Sequence, residues 1–145
     1  MIGVRGSPRA VTSAVVDASV AVKWFVPREW TQEAQAVLDS VATSRDHRFF
    51  VPEVFFAEML SALKRSRDEV EEIHAALKAV SERPLRSVTW NEAPRSRTLD
   101  MALGNVGAYD AIYVALAIER RLPLLTADAR LARALGEPDW VVLLR

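Results

Sequence analysis

Short apolar runs alternate with stretches of helical period along most of this chain, and that alternation constrains the fold more than any other feature. Ala14 to Val16 reads as a strand that runs straight into a helix near Ser19 to Phe25. Thr31 to Ala42 has helical spacing through Ala34, Val37, Leu38 and Val41. Phe49 to Val51 is a second strand. Pro52 then opens a helix to about Arg65, at a position where its missing N–H costs nothing. Ser66 and Glu69 read as a capping box for a helix reaching Ser81. Leu85 to Trp90 is a third strand. Glu92 to Leu103 reads as a helix whose end is marked by Gly104 and Gly107, followed by the strongly apolar helix Ala108 to Arg121. Leu122 to Thr126, Asp128 to Leu135 and Trp140 to Leu144 complete the series as strand, helix and strand. Strands that alternate with helices predict an α/β fold, a central mainly parallel sheet in a three-layer α/β/α sandwich.

The chain has 145 residues, half of them hydrophobic, which suits one packed domain over residues 14–145. Residues 1–13 carry Gly, Pro and Ser without a clear period and read as a loose N-terminal arm. Cysteine is absent, so disulfides, thiolate metal sites and cysteine nucleophiles are excluded. The best apolar run, Ala111 to Ile118, is far below the roughly 20 residues of a spanning helix. Asp17 and Lys23 break the only stretch resembling a secretory signal, so the expected location is cytoplasmic. Formal net charge is zero, so bulk charge does not draw this chain to polyanions, and nucleic-acid contacts must come from local patches.

In open parallel sheets, sites lie beyond the carboxyl ends of the strands, which focuses the reading on four acids. Asp17 directly follows the first strand, where a helix N-cap is the plainer explanation. Glu58 sits at the border of a helical stripe made by Phe55, Phe56, Met59, Leu60 and Leu63, where a solvated acid is common. Asp110 is the sole charge between Ala108 and Ile118, and a buried carboxylate needs a partner unless the helix dipole suffices. Asp128 follows Thr126 by two residues, again in a capping position. Gathered together, such acids repel, by about 4 kcal/mol per pair at 4 Å and an effective dielectric near 20. A hard divalent cation removes that repulsion, and an all-oxygen set suits Mg²⁺ or Mn²⁺. Such ions promote phosphodiester hydrolysis. The sharpest expectation is therefore geometric: Asp17, Glu58, Asp110 and Asp128 converge in one cleft at the carboxyl edge of the sheet.

Four pieces in order, Val15-Val16-Asp17-Ala18-Ser19-Val20, Pro52-Glu53 leading to Phe56-Ala57-Glu58, Tyr109-Asp110-Ala111, and Leu125-Thr126-Ala127-Asp128, resemble the PIN-domain family and, within it, VapC-like toxins. The resemblance spans nearly everything after Ser13. It implies a PIN-like fold and a Mg²⁺- or Mn²⁺-dependent endoribonuclease. Asp17, Glu58 and Asp110 match the family's three central acids and Asp128 its more variable fourth. As such they are the implied catalytic residues and metal ligands. Ser19 and Thr126 match small hydroxyl positions that support the acids. The helix pair from Pro52 to Ser81 looks like the hairpin that a VapB-like antitoxin clasps, and a homodimer is implied.

Weaker features remain open. Lys23, Arg95, Arg97 and Arg130 either grip RNA phosphates or are solvated surface charge. Trp24, Phe25, Trp30, Phe55 and Phe56 either line a peptide groove or pack in the core or a dimer interface. His47 and His74 lack metal-ligand spacing. A dehalogenase-like phosphatase also places Asp after its first strand, but it needs a second acid where this chain has Ser19. A PIN-like RNA-processing nuclease, or a non-catalytic binding module, is the stronger competitor.

Overall fold

The computed structural model describes residues 12–45, 48–66, 69–89, 100 and 104–145. Five strands form one sheet: β1 (Ala14–Val16), β2 (Phe49–Pro52), β3 (Leu85–Val88), β4 (Leu124–Thr126) and β5 (Val141–Leu143). Their order is β3-β2-β1-β4-β5, and every neighbouring pair is parallel. The helices are α1 (Ala18–Ala21), α2 (Gln32–Ala42), α3 (Val54–Ser66), α4 (Val70–Ser81), α5 (Ala108–Arg120) and α6 (Ala129–Ala134). The expected α/β/α sandwich with a parallel central sheet is what the chain adopts.

The central strands explain this arrangement. All residues of β1 and β4 are buried, as parallel strands covered on both faces must be. Tyr113, Val114 and Leu116 of α5 are buried, and the helix packs on β1, β2 and β4. The chain steps from β1 outward to β3 and then returns to the other side of β1 to form β4 and β5. With the right-handed crossovers of parallel sheets, that reversal puts the helices of the two runs on opposite faces. It also leaves a crevice between the carboxyl ends of β1 and β4, the usual ligand position in open α/β sheets.

Several expected boundaries shift. Pro52 does not open a helix; it ends β2, in register with Val88, and α3 starts at Val54. The neighbouring Glu53 N–H donates to the Val88 carbonyl, so strand alternation turns the Pro52 nitrogen toward β1, whose pairs with β2 involve only Phe49 and Phe50. A missing N–H costs nothing there. Ser66 does not cap α4; it is the last residue of α3, and Glu69 takes the N-cap position without a side-chain cap. Within the Ser19–Phe25 stretch, α1 tightens into a 3₁₀ turn over Val22–Trp24. Gly107 is the N-cap residue of α5. The helix expected over Glu92 to Leu103 (Asp100 apart), the strand end at Trp90, His47 and most of the N-terminal arm lie outside the described residues. Among the described residues, no helix is long and apolar enough to cross a membrane.

Candidate active site

Asp17 is the first residue after β1 and is almost completely buried. It occupies the N-cap position of α1, yet its side chain makes no capping hydrogen bond. Instead Oδ2 accepts from Ser19 Oγ at 2.7 Å and from Thr126 Oγ1 at 2.8 Å. The Asp17 N–H donates to the Leu125 carbonyl, extending the β1–β4 ladder to this residue. Ser19 Oγ in turn accepts from the Ala127 N–H at 2.9 Å, and Thr126 Oγ1 accepts from the Asp128 N–H at 3.1 Å. Two hydroxyls thus stitch the carboxyl ends of β1 and β4 together around one carboxylate. Burial pushes the Asp17 carboxyl up from its ordinary range; the Ser19 and Thr126 hydroxyls oppose the rise and the Asp128 charge adds to it.

The other three acids reach the same cleft, which has a volume of about 720 Å³. Glu58 comes from α3, whose buried stripe is Phe55, Met59 and Leu63. Leu60 is exposed, so the apolar stripe is narrower than the sequence suggests, and Glu58 borders the cleft rather than open solvent. Burial pushes the Glu58 carboxyl up to about 7; the Tyr113 hydroxyl opposes that rise, while the charges of Asp17 and Asp110 add to it. Asp110 lies in the first turn of α5, half-buried. Burial raises its carboxyl to about 6, with Asp17 and Asp128 contributing by charge. Asp128 does cap α6: its Oδ1 accepts from the Arg130 and Leu131 N–H groups at 2.9 and 3.2 Å. It also lines the cleft, so the capping and the site readings hold together at this residue.

All four acids therefore share one cleft at the reversal of the strand order. They share a wall, not a coordination sphere: among the described residues, no three acids are grouped closely enough to hold an ion as the side chains lie. The donor set still fits a hard divalent cation. Every candidate ligand atom is a carboxylate or hydroxyl oxygen. Glu58 Oε1 is buried with no hydrogen-bond partner, an arrangement that is costly unless something pairs with it.

Among the basic residues, Lys23 lines the cleft, with Nζ donating to the Glu29 carbonyl at 3.4 Å. Arg130 is exposed at the start of α6 and is not part of the cleft lining. Arg95 and Arg97 lie outside the described residues. Sequence reasoning missed Arg65, which lines the cleft from α3 and donates to Ser61 Oγ at 2.9 Å. Its spacing of seven from Glu58, two helical turns, was the available signal. It also missed Tyr113, three residues after Asp110 and so on the same side of α5. Of the candidate aromatic groove, Phe55 is a core residue, Trp24, Phe25 and Phe56 pack partly against the core, and Trp30 is exposed.

The fold and this acid-lined crevice define a class. A family model for the PIN domain matches residues 14–136, and the chain belongs to the PIN-domain family. Within that family it is similar to Ribonuclease VapC1 of Mycobacterium tuberculosis, in both the CDC 1551 / Oshkosh and H37Rv strains. The identity is 40% over 99 residues, covering 65% of this chain and 73% of the relative. Its fold matches a chain of a toxin-antitoxin complex from Klebsiella pneumoniae with a TM-score of 0.65 at 18% identity, covering 90% of this chain and 96% of the other. It also matches a protein of Pyrobaculum aerophilum with a TM-score of 0.60 at 20% identity, covering 90% and 83%.

Proposed function

We propose that this chain is an endoribonuclease whose Asp17, Glu58, Asp110 and Asp128 hold a divalent cation, Mg²⁺ or Mn²⁺, and that it is the toxin of a VapBC-like pair. The observation that carries the reading is the arrival of four acids, far apart in sequence, in one cleft at the strand-order reversal. Similarity to a VapC ribonuclease supports the reaction class, and the toxin-antitoxin structure supports the fold. When bound, the ion supplies Lewis-acid stabilisation of phosphodiester charge.

The chain's own residues do the rest. Ser19 and Thr126 hold the Asp17 carboxylate in place, so it need not reorganise when a substrate arrives. Burial raises the Glu58 and Asp110 carboxyls in the metal-free cleft, and the charge of a bound cation would offset that rise and keep both ionised as ligands. Lys23 and Arg65 line the same cleft as the acids and offer charge to the RNA backbone. The exposed Leu60 and Val70 on the α3–α4 hairpin provide apolar contacts for a VapB-like antitoxin. The same reading makes the protein a cytoplasmic homodimer.

Purified protein incubated with a structured RNA tests the reaction. Cleavage is expected with Mg²⁺ or Mn²⁺ and none in EDTA, and undiminished cleavage in EDTA would overturn the metal assignment. Affinity capture from the native host is expected to retain a short antitoxin. Recovery of no small partner would favour the RNA-processing alternative.

A further inference from the structure

Tyr113 is fully buried within α5, and its hydroxyl has no hydrogen-bond partner. Glu58 Oε1 is buried and unpartnered as well. The Tyr113 hydroxyl faces Glu58 as a donor faces an acceptor and lowers its carboxyl accordingly, yet the pair is not closed into a hydrogen bond. A buried phenol must donate to something, because stranding it costs about 1–3 kcal/mol. Its electrostatic neighbours among the acids are Asp17 and Glu58. Asp17 Oδ2 already accepts from Ser19 and Thr126. Glu58 Oε1 accepts from nothing, so one hydrogen bond between the two would satisfy both orphaned atoms at once.

We propose that Tyr113 is a positioning residue for Glu58: its hydroxyl donates to Oε1 when the cleft takes up a cation, leaving Oε2 to face the ion. A donor behind a ligand fixes its orientation and sustains its charge, the role that supporting residues play around metal sites generally. Placement on α5 gives Tyr113 a second consequence. Asp110 lies one turn away on the same helix, so one rigid element sets both Asp110 and the orientation of Glu58. This inference rests on the reading of the cleft as a cation site.

The test is Mn²⁺ binding, measured by calorimetry on wild-type protein, Tyr113→Phe, Glu58→Gln and the double variant. Phenylalanine keeps the ring that packs in the core and removes a stranded hydroxyl, so a thermal midpoint in EDTA at or above that of wild type confirms the fold. Tyr113→Phe is expected to weaken Mn²⁺ about tenfold to a hundredfold. The same change made in the Glu58→Gln background is expected to do almost nothing more, because its partner carboxylate is gone. A purely structural role would weaken binding equally in both backgrounds, and that additivity would overturn the inference. Tyr113→Phe protein that binds Mn²⁺ as tightly as wild type would overturn it too. Wild-type protein that binds no Mn²⁺ would overturn the cation reading itself, and this inference with it.

Discussion

Thr126 donates its hydroxyl to Asp17 Oδ2 at 2.8 Å, joining the ends of two adjacent parallel strands across 109 residues of sequence. The same oxygen of Thr126 accepts from the Asp128 N–H, so one small side chain sets both a buried acid and the start of α6. Threonine suits this place because its methyl fills buried space while its hydroxyl serves two partners.

Thr126→Val keeps that shape and removes both hydrogen bonds. The variant should lose about 1–3 kcal/mol of stability in urea unfolding, because a buried carboxylate loses one of two donors and an N–H loses its acceptor. Thr126→Ser should retain most of it. Equal stability of the valine variant and wild type would show that the latch contributes nothing.

Stability should also depend on pH in an unusual direction for carboxylates. The folded state raises Asp17, Glu58 to about 7 and Asp110 to about 6, above their ordinary values of 3.8, 4.5 and 3.8. The native state therefore holds more protons than the unfolded chain between about pH 4 and pH 7, and stability from these groups falls as pH rises through that window. In EDTA the thermal midpoint should be lower at pH 8 than at pH 5. Mn²⁺ should restore it at pH 8 and have little effect at pH 5, where protons compete for the same oxygens. A midpoint that rises from pH 5 to pH 8 in EDTA would contradict the burial that raises these carboxyls.

Much of this was legible in the sequence, and the gaps have physical causes. The alternation of buried three- and four-residue strands with helices specified the parallel sheet, because no other layering covers such strands on both faces. The shared cleft was legible for Asp17 and Asp128 from their places after strands and for Asp110 from its lone charge in an apolar helix, while Glu58 showed only as an acid on the border of an apolar stripe. Pro52 misled because proline is equally at home at the first turn of a helix and at a strand end. Arg65 and Tyr113 were invisible for a different reason. Arg65 is marked only by its two-turn spacing from Glu58 along a surface helix, and Tyr113 by a neighbour on another element, Glu58, a contact that a one-dimensional pattern does not contain.

The two roles of Asp128 can be separated. Asn caps helices about as well as Asp, so Asp128→Asn should leave stability nearly unchanged and lower RNA cleavage through the lost charge alone. Asp128→Ala should add a stability loss of about 1 kcal/mol. If the asparagine variant cleaves RNA like wild type, Asp128 is a cap and nothing more.

Asp17→Asn should behave in the opposite sense from an ordinary core mutation. Burial disfavours the charged carboxylate, so a neutral amide of the same shape should fold at least as stably at pH 8. Its RNA cleavage should nevertheless drop at least about a hundredfold, the scale set by removing one electrostatic group from a reaction centre. Retained cleavage in a folded Asp17→Asn protein would remove this residue from the site.

Anomalous diffraction from crystals grown with Mn²⁺ above pH 7 decides whether the four distant carboxylates form one cation site. A peak is expected in the cleft between Asp17 and Asp110, with Glu58 or Asp128 turned toward it and oxygen ligands at about 2.1 Å. An empty cleft at saturating Mn²⁺, with the four carboxylates still apart, would contradict the shared site.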